Sequence, residues 1–375
     1  MADQTNDKPT GLGKIKYIVA IGSGKGGVGK STVAVNLATA LSAKGLKVGL
    51  MDADIYGPSQ PGMLGSHGRE PDVSRGYIEP LVQHGIKFVS MGLFVPDDGP
   101  VIWRAPMATK MIQEFINSVA WGELDYLLID LPPGTGDVQL TLSQQAKLSG
   151  AIIVTTPQRV AQSVADKGLR MFDQVNVPIY GVVENMSGFI CEHCGKETRI
   201  FKGAGGRELA DQHGVSFLGA LPLDPQIVQS GDEGRPLLSI NDESPAAKAL
   251  LSLADAVHEQ VELIETEISA NEPTEYHLDD EGVLHITWPD DSKTVHTPRH
   301  LRIQSHSAEN RDERTGELLI DPDSVPMDIK ITNMRPVGRY GLSIHFSDGH
   351  TTGIYAYKRL RSLDESQNKS ESFSV

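Results

Sequence analysis

The stretch Gly24-Lys25-Gly26-Gly27-Val28-Gly29-Lys30-Ser31-Thr32 decides how the rest of this chain is read. It fits the pattern Gly-x4-Gly-Lys-Ser/Thr, in which glycines let backbone N–H groups curl around phosphates at a helix N-terminus and the lysine neutralises their charge. The flanking residues supply the context the motif requires: 16–21 reads as a strand, and Ser31-Thr32-Val33-Ala34-Val35-Asn36-Leu37-Ala38 as the start of a long helix. Gly24 to Thr32 is therefore a candidate nucleotide cradle for ATP, with Lys30 on the phosphates and Ser31 on Mg²⁺.

Outward from the loop, short β-branched runs alternate with amphipathic stretches, the pattern of βαβ units on a mostly parallel sheet. Strands are expected at 16–21, 47–52, 86–91, 126–131, 151–156, 179–185 and 217–220. Several are nearly continuous apolar runs, as strands covered on both faces should be. The fold class is α/β, a P-loop NTPase with a mostly parallel sheet flanked by helices. A last helix begins at Ser244-Pro245, a cap residue before a proline, and carries the stripe Leu250, Leu253, Ala254, Val257, Val261 and Ile264.

An acidic stretch with Glu262, Glu265, Glu267, Glu272, Glu275, Asp279, Asp280 and Glu281 follows and reads as a linker. Beyond it, strands are expected at 283–288, 328–333, 342–346 and 352–357, with an Asp348-Gly349 turn, which makes a small β-rich domain. The expected division is a flexible N-terminus over 1–14, an ATPase domain over 15–264, the linker over 265–281, the β-rich domain over 282–362 and a disordered tail over 363–375.

The 375 residues are 39% hydrophobic and 22% charged, ordinary globular composition with material for two cores. A formal net charge of −15 disfavours nucleic acid and anionic membrane surfaces as partners. No run approaches the length of about 20 apolar residues that spans a bilayer, and Met1 to Asp7 has no signal-peptide pattern. A cytoplasmic location is expected.

Two carboxylate segments complete the nucleotide site. Asp130 ends the apolar run Tyr126-Leu127-Leu128-Ile129 at the carboxyl edge of the sheet, where open α/β folds bind ligands and where such an aspartate holds Mg²⁺. The following Leu131-Pro132-Pro133-Gly134-Thr135-Gly136-Asp137 suits a switch loop sensing the γ-phosphate. Asp52 and Asp54 end the second strand.

The only two cysteines, Cys191 and Cys194, flank Glu192 and His193. That knuckle brings two thiolates to one metal, half of a tetrahedral Cys₄ site, and a dimer supplies the other half. From these residues alone, a zinc bridge, an iron–sulfur site, a redox dithiol and two inert thiols all stay open.

The order Lys25-Gly26-Gly27-Val28-Gly29-Lys30 resembles the deviant P-loop of the ParA/MinD/nitrogenase-iron-protein class. The resemblance implies an ATP-dependent homodimer in which Lys25 reaches the phosphates of the opposite subunit. It also implies that Asp54 orients or activates the attacking water and that Asn185 contacts adenine. The segments Ile102-Trp103-Arg104-Ala105-Pro106-Met107, 130–137, 183–195 and Leu221-Pro222-Leu223-Asp224-Pro225 together resemble the Mrp/ApbC family of iron–sulfur cluster carrier ATPases, from about residue 15 to 263.

By that resemblance, Cys191 and Cys194 of two subunits hold one bridging [4Fe–4S] cluster, received from scaffold proteins and delivered to apo iron–sulfur proteins. ATP hydrolysis is then slow and coupled to transfer. The second domain, through 337–355, resembles the gamma-butyrobetaine-hydroxylase-like N-terminal domain. That family often shows cysteines after its Leu-Arg element; here Leu301-Arg302-Ile303-Gln304 is followed by Ser305 and His306, so no metal is expected there and His300 and His306 are expected on the surface.

Two rival readings are a positioning ATPase of the MinD/ParA kind and a zinc-bridged targeting ATPase. The first needs a terminal helix with basic and apolar faces, whereas the last helix carries Glu259, Glu262 and Glu265. The second needs a methionine-rich groove, whereas Met63, Met91, Met107, Met111, Met171 and Met186 belong to different elements.

Overall fold

The computed structural model describes residues 11–54, 57–94, 105–134, 139, 141–142, 145–191, 193–194, 196–201, 203, 205–305, 310, 319–337 and 339–363. Thr135 to Asp137 of the expected switch loop, Ile102 to Arg104, Glu192, His306, most of the N-terminal segment and nearly all of the tail fall outside them. The chain divides into two compact units, Met1–Val261 and Glu262–Val375.

The first unit contains β1 (Ile15–Gly22), α1 (Lys30–Ala43), β2 (Val48–Asp52), α2 (Gln60–Met63), β3 (Leu81–Gln83), β4 (Ile86–Ser90), α3 (Ala105–Ser118), β5 (Leu124–Asp130), β6 (Gly150–Thr155), α4 (Arg159–Gln174), β7 (Ile179–Glu184), β8 (Phe189–Ile190), β9 (Glu197–Thr198), α5 (Gly205–His213), β10 (Phe217–Ala220) and α6 (Pro225–Asp232). Eight of the strands form one sheet in the order β10-β7-β6-β1-β5-β2-β4-β3. All neighbours are parallel except β3, which runs antiparallel to β4.

The apolar runs explain the sheet. Val19, Ala20, Ile21, Leu127, Leu128, Ile129, Ile152, Ile153 and Val154 are all fully buried, which only strands covered on both faces allow. Each such side chain contributes roughly 1.5–3 kcal/mol relative to exposure. The helix α1 is nearly as buried, Val33 through Leu41 included, so it is sequestered on most sides. The short β3, β8 and β9 carry no such runs and were not expected from the sequence.

The register places the chemistry. Ile21, Asp130 and Asp52 lie level with one another on the adjacent strands β1, β5 and β2, all at the carboxyl edge. Beyond that edge the chain stays tied together: Ala53 N donates to Asp130 O at 2.9 Å, Leu131 N to Ile21 O at 3.1 Å, and Gly134 N to Ser23 O at 3.1 Å.

The long helix α7 (Pro245–Asn271) starts where its signal predicts, with Ser244 Oγ accepting from Ala247 N at 3.1 Å. Leu250, Leu253, Ala254, Val257 and Val261 are buried as expected, whereas Ile264 is half-buried.

The acidic stretch over 265–281 is not a linker. The helix continues through it to Asn271, and Glu275–Leu278 forms a strand, β11, paired with β12 (Leu284–Thr287). Its carboxylates have cationic partners: the Arg339 guanidinium donates to Glu265 and Glu272, each at 2.9 Å, and to Ser269 Oγ at 3.1 Å. Lys358 pairs with Glu267.

The second unit holds two three-stranded antiparallel sheets, β11-β12-β13 with β13 at Lys293–His296, and β14 (Ile331–Val337), β15 (Gly341–Phe346) and β16 (Gly353–Ala356). The short helix α8 (Pro298–Ile303) lies between the two sheets in sequence, and α9 (Tyr357–Ser362) follows β16. Leu284, Ile286, Trp288, Leu301, Leu342, Ile344, Phe346 and Tyr355 form the core. The expected Asp348-Gly349 turn links β15 to β16, with Gly349 at φ +88°. Among the described residues, no helix is long and apolar enough to cross a membrane.

Candidate nucleotide site and cysteine hairpin

The glycine loop is shaped by what surrounds it. Gly27 and Gly29 have φ of +79° and +78°, in the region that side chains rarely adopt. A Cβ on Gly24 would lie 2.2 Å from the backbone of Val164 in α4, and one on Gly29 would lie 2.2 Å from Asn185 Nδ2. The loop opens directly into α1, whose N-terminus has no side-chain cap and no acidic residue in its first turn. Its unsatisfied amides are suited to an anion.

Lys30 is buried and ion-paired with Asp130 Oδ1, and the fully buried Asp130 takes a second hydrogen bond at Oδ2 from Gln60 Nε2 at 2.9 Å. Asp52 stands beside Asp130 on the next strand. Ser90 Oγ donates to its Oδ2 at 2.8 Å, and Asp54 N donates to Oδ1 at 3.1 Å. Burial first, and then the charge of Asp130, push the Asp52 carboxyl up to about 8, against the pull of the Ser90 and Asp54 hydrogen bonds and of Lys30. At neutral pH Asp52 thus carries a proton in this arrangement. The buried Asp130 carboxylate is an oxygen donor of the kind that suits a hard cation such as Mg²⁺.

The expected site residues divide into those that converge and those that do not. Lys30, Asp130 and Asp52 come together, and Asp54 follows Asp52 at half-burial. Asn185 lies just beyond β7 and donates from Nδ2 to Val28 O at 2.9 Å, clasping the loop. Lys25 is exposed, outside this cluster. Sequence reading missed Gln60, Ser90 and Gln139, which donates from Nε2 to Pro132 O at 2.7 Å. It also missed that Glu184 Oε2 accepts from Gly206 N at 2.7 Å, fixing α5 at the same strand end as Asn185. None of these four follows a motif, and except for Gln139 their partners lie 22 or more positions along the chain.

Beside α1 a cavity of about 110 Å³ is lined by Thr32, Asn36, Ile227 and Gly231. The helix α6 that supplies two of those residues also lines a larger groove of about 700 Å³ with Phe189 and Leu223.

Cys191 and Cys194 lie on the turn between β8 and β9, Cys191 half-buried and Cys194 exposed, and neither is in a disulfide. Cys191 N donates to Lys196 O at 3.1 Å, closing the turn. Among the described residues, no group of three or more His, Cys, Asp or Glu is placed to hold a metal ion. The hairpin connects to the nucleotide loop over a short path: Asn185 holds Val28, Ser187 N donates to Leu221 O at 2.9 Å, Leu223 N donates to Gly188 O at 2.7 Å, and Phe189 bridges to Leu223.

In the second unit, Ser305 Oγ and His350 Nε2 share a buried hydrogen bond of 2.9 Å. His300 is half-buried, not on the open surface as expected, because it lies on α8 against the core.

A mostly parallel sheet with a glycine loop, a buried lysine and a strand-end aspartate at one carboxyl edge defines a P-loop NTPase. The chain belongs to the family described as ParA, NUBPL iron-transfer P-loop NTPase, whose model matches residues 14–258. Residues 276–361 match the gamma-butyrobetaine hydroxylase-like N-terminal family.

A protein of Aquifex aeolicus strain VF5 named iron-sulfur cluster carrier protein is 48% identical over 250 residues, covering 66% of this chain and 69% of its own length. The Escherichia coli K12 protein of the same name is 46% identical over 264 residues, covering 69% and 72%. A solved nucleotide-binding protein from Archaeoglobus fulgidus, in complex with ADP, is 40% identical with a TM-score of 0.55, over 63% of this chain and 92% of that one.

Proposed function

We propose that this chain is an ATP-hydrolysing carrier of iron–sulfur clusters that works as a homodimer. Cys191 and Cys194 of each subunit supply two of the four thiolates for one bridging [4Fe–4S] cluster, which is cargo received from scaffold proteins and handed to apo-proteins. In the nucleotide site Lys30 binds the phosphates of ATP, Ser31 and Asp130 hold Mg²⁺, Asp54 orients the attacking water, and Lys25 reaches across to the partner's nucleotide. Asn185 and the cavity lined by Thr32 and Ile227 take the adenine end.

The observation that carries the reading is the short path from loop to hairpin: five residues separate Asn185, whose amide grips Val28 O, from Cys191. A nucleotide that reshapes the loop acts on the residues that set the cysteine turn. ATP changes cluster retention to the extent that it binds the two dimer arrangements with different affinity.

The test is anaerobic reconstitution with iron and sulfide of the wild type and of Cys191→Ser, followed by metal analysis, absorption spectra and the mass of the assembly. Four irons per dimer in the wild type, lost in the variant, are expected. Stoichiometric zinc without a stable cluster would falsify the carrier reading and favour a zinc-bridged dimer.

A further inference from the structure

Gln60 stands out because its side chain is only half satisfied. It is fully buried. Its Nε2 donates to Asp130 Oδ2 at 2.9 Å, yet its Oε1 is buried with no hydrogen-bond partner. A carboxylate oxygen only accepts, so the amide must present its nitrogen to Asp130 and is left with an unused acceptor. Buried acceptors are nearly always paired, and an orphan in a polar site marks a place where a donor arrives.

The backbone around Gln60 keeps the amide where it is. Leu64 N donates to Gln60 O at 2.9 Å, and Pro58 and Pro61 press against Gly92, where a Cβ would come within 3.2 Å and 3.1 Å of them. The side chain therefore projects from a braced turn to the carboxylate that ends β5. Asp130 is held from two sides, by Lys30 on Oδ1 and by Gln60 on Oδ2. When Lys30 turns to phosphate, Gln60 is the partner that remains.

We infer that Gln60 is a positioning residue of the cation site: its Nε2 fixes the Asp130 carboxylate while its Oε1 accepts a hydrogen bond from a water in the shell of a divalent cation bound with nucleotide. This rests on the nucleotide-site reading above. It extends the donor set by an outer-shell acceptor that no motif signals. Outer-shell partners of this kind orient the ligand they touch and change metal affinity typically by about 10–100-fold when removed.

The experiment uses the full-length protein with Mn²⁺ and ADP, and reads bound Mn²⁺ by electron paramagnetic resonance. It compares the wild type, Gln60→Met and Gln60→Glu. Methionine keeps the volume and removes both amide functions; glutamate keeps an acceptor and adds charge. Expected are a loss of Mn²⁺ affinity of about tenfold or more in Gln60→Met and a gain in Gln60→Glu. Metal-free ADP affinity of Gln60→Met should stay at the wild-type value, while the thermal midpoint of the unliganded variant falls because the buried Asp130 Oδ2 loses its hydrogen bond.

A role in packing alone would move Mn²⁺ affinity the same way in both variants. Mn²⁺ affinity within twofold of wild type in Gln60→Met, or weakened in both variants, overturns the inference. Should Gln60→Met fail to fold, the direction of the Gln60→Glu change decides by itself. Failure of the wild type to bind Mn²⁺ with ADP would overturn the underlying site reading, a result separable from a defect confined to the variants.

Discussion

Lys30 and Asp130, one hundred residues apart in the chain, form a buried ion pair at the carboxyl edge of the sheet. The Lys30 ammonium is thus already neutralised, and the strand-end aspartate already holds a cation. Asp52, level with Asp130 on the adjacent strand, is kept protonated by the same burial and by the Asp130 charge. Two carboxyls and one ammonium share one positive and one negative charge.

That sharing predicts strong coupling between Asp52 and Asp130. In Asp130→Asn, Asp52 loses the second cause of its rise and keeps Lys30 as a charged neighbour, which draws it toward ionisation against burial. Removing Asp52 as well leaves a buried ammonium without a counter-charge, which costs several kcal/mol. In a double-mutant cycle of Asp52→Asn and Asp130→Asn, the double variant should be less stable than the sum of the singles by about 1–3 kcal/mol. Urea unfolding measures this, and additive losses would refute the coupling.

The nucleotide must take Lys30 away from Asp130, so Lys30→Ala should lose ATP hydrolysis. The cysteine hairpin carries its own backbone closure at Cys191 and Lys196, so the variant should still accept a reconstituted cluster. Phosphate release and iron content on the same preparation separate the two functions. Normal hydrolysis in Lys30→Ala would contradict the assignment of the site.

Two loop glycines should fail in different ways. Alanine at Gly29 meets the end of the Asn185 side chain at 2.2 Å, which can swing aside at the expense of its bond to Val28 O. At φ +78° the substitution also costs about 1 kcal/mol in backbone strain. Gly29→Ala should therefore remain folded while binding ATP weakly by calorimetry. Alanine at Gly24 meets the backbone of Val164 at 2.2 Å, which cannot yield without moving α4. Its cost should be larger, about 2–3 kcal/mol of stability.

Much of this was legible from the residues because the signals are local. The glycine loop lies between a strand and a helix within twenty residues, and Asp130 ends an apolar run that could only be a covered strand. Gln60 was not legible: it sits between Pro58 and Pro61 with no motif around it, and its partner lies 70 positions away. The acidic stretch misled for the same reason. A run of glutamates looks solvated until Arg339, 74 residues beyond Glu265, is folded back onto it. Pairing across such distances leaves no periodicity behind.

The second unit should show an acid-sensitive ion pair. Arg302 Nε donates to Asp348 Oδ2 at 2.7 Å, and His350 N donates to Oδ1 at 3.0 Å. Burial alone would raise the Asp348 carboxyl, but the His350 amide and the Arg302 guanidinium outweigh it and hold it below the usual range. A depressed folded-state value contributes stability that is fully present above the unfolded value, about 3.9, and is lost as pH falls through the folded one. Asp348→Asn should cost about 1–2 kcal/mol at neutral pH and progressively less below about pH 4. Amide exchange in β15 follows the unit directly, and a pH-independent difference would sink this account.

Arg339 decides whether the end of α7 is a helix. Its guanidinium joins Glu265 and Ser269, one turn apart on the helix, and Glu272 just past its end. Glu265 is 8% exposed and Arg339 54%, so solvent screens the cation and the set is worth on the order of 1 kcal/mol rather than a full buried pair. Without that contribution, a terminal segment dense in glutamate near the negative end of the helix dipole is self-repelling. In Arg339→Ala, amide protection over 262–271 should fall by roughly five- to tenfold, while protection over 245–261, anchored by Leu250, Leu253, Val257 and Val261, should hold. Glu265→Gln in the same background should restore part of the loss by removing the charge that Arg339 offset; equal protection in all three proteins would return this stretch to the status of a linker.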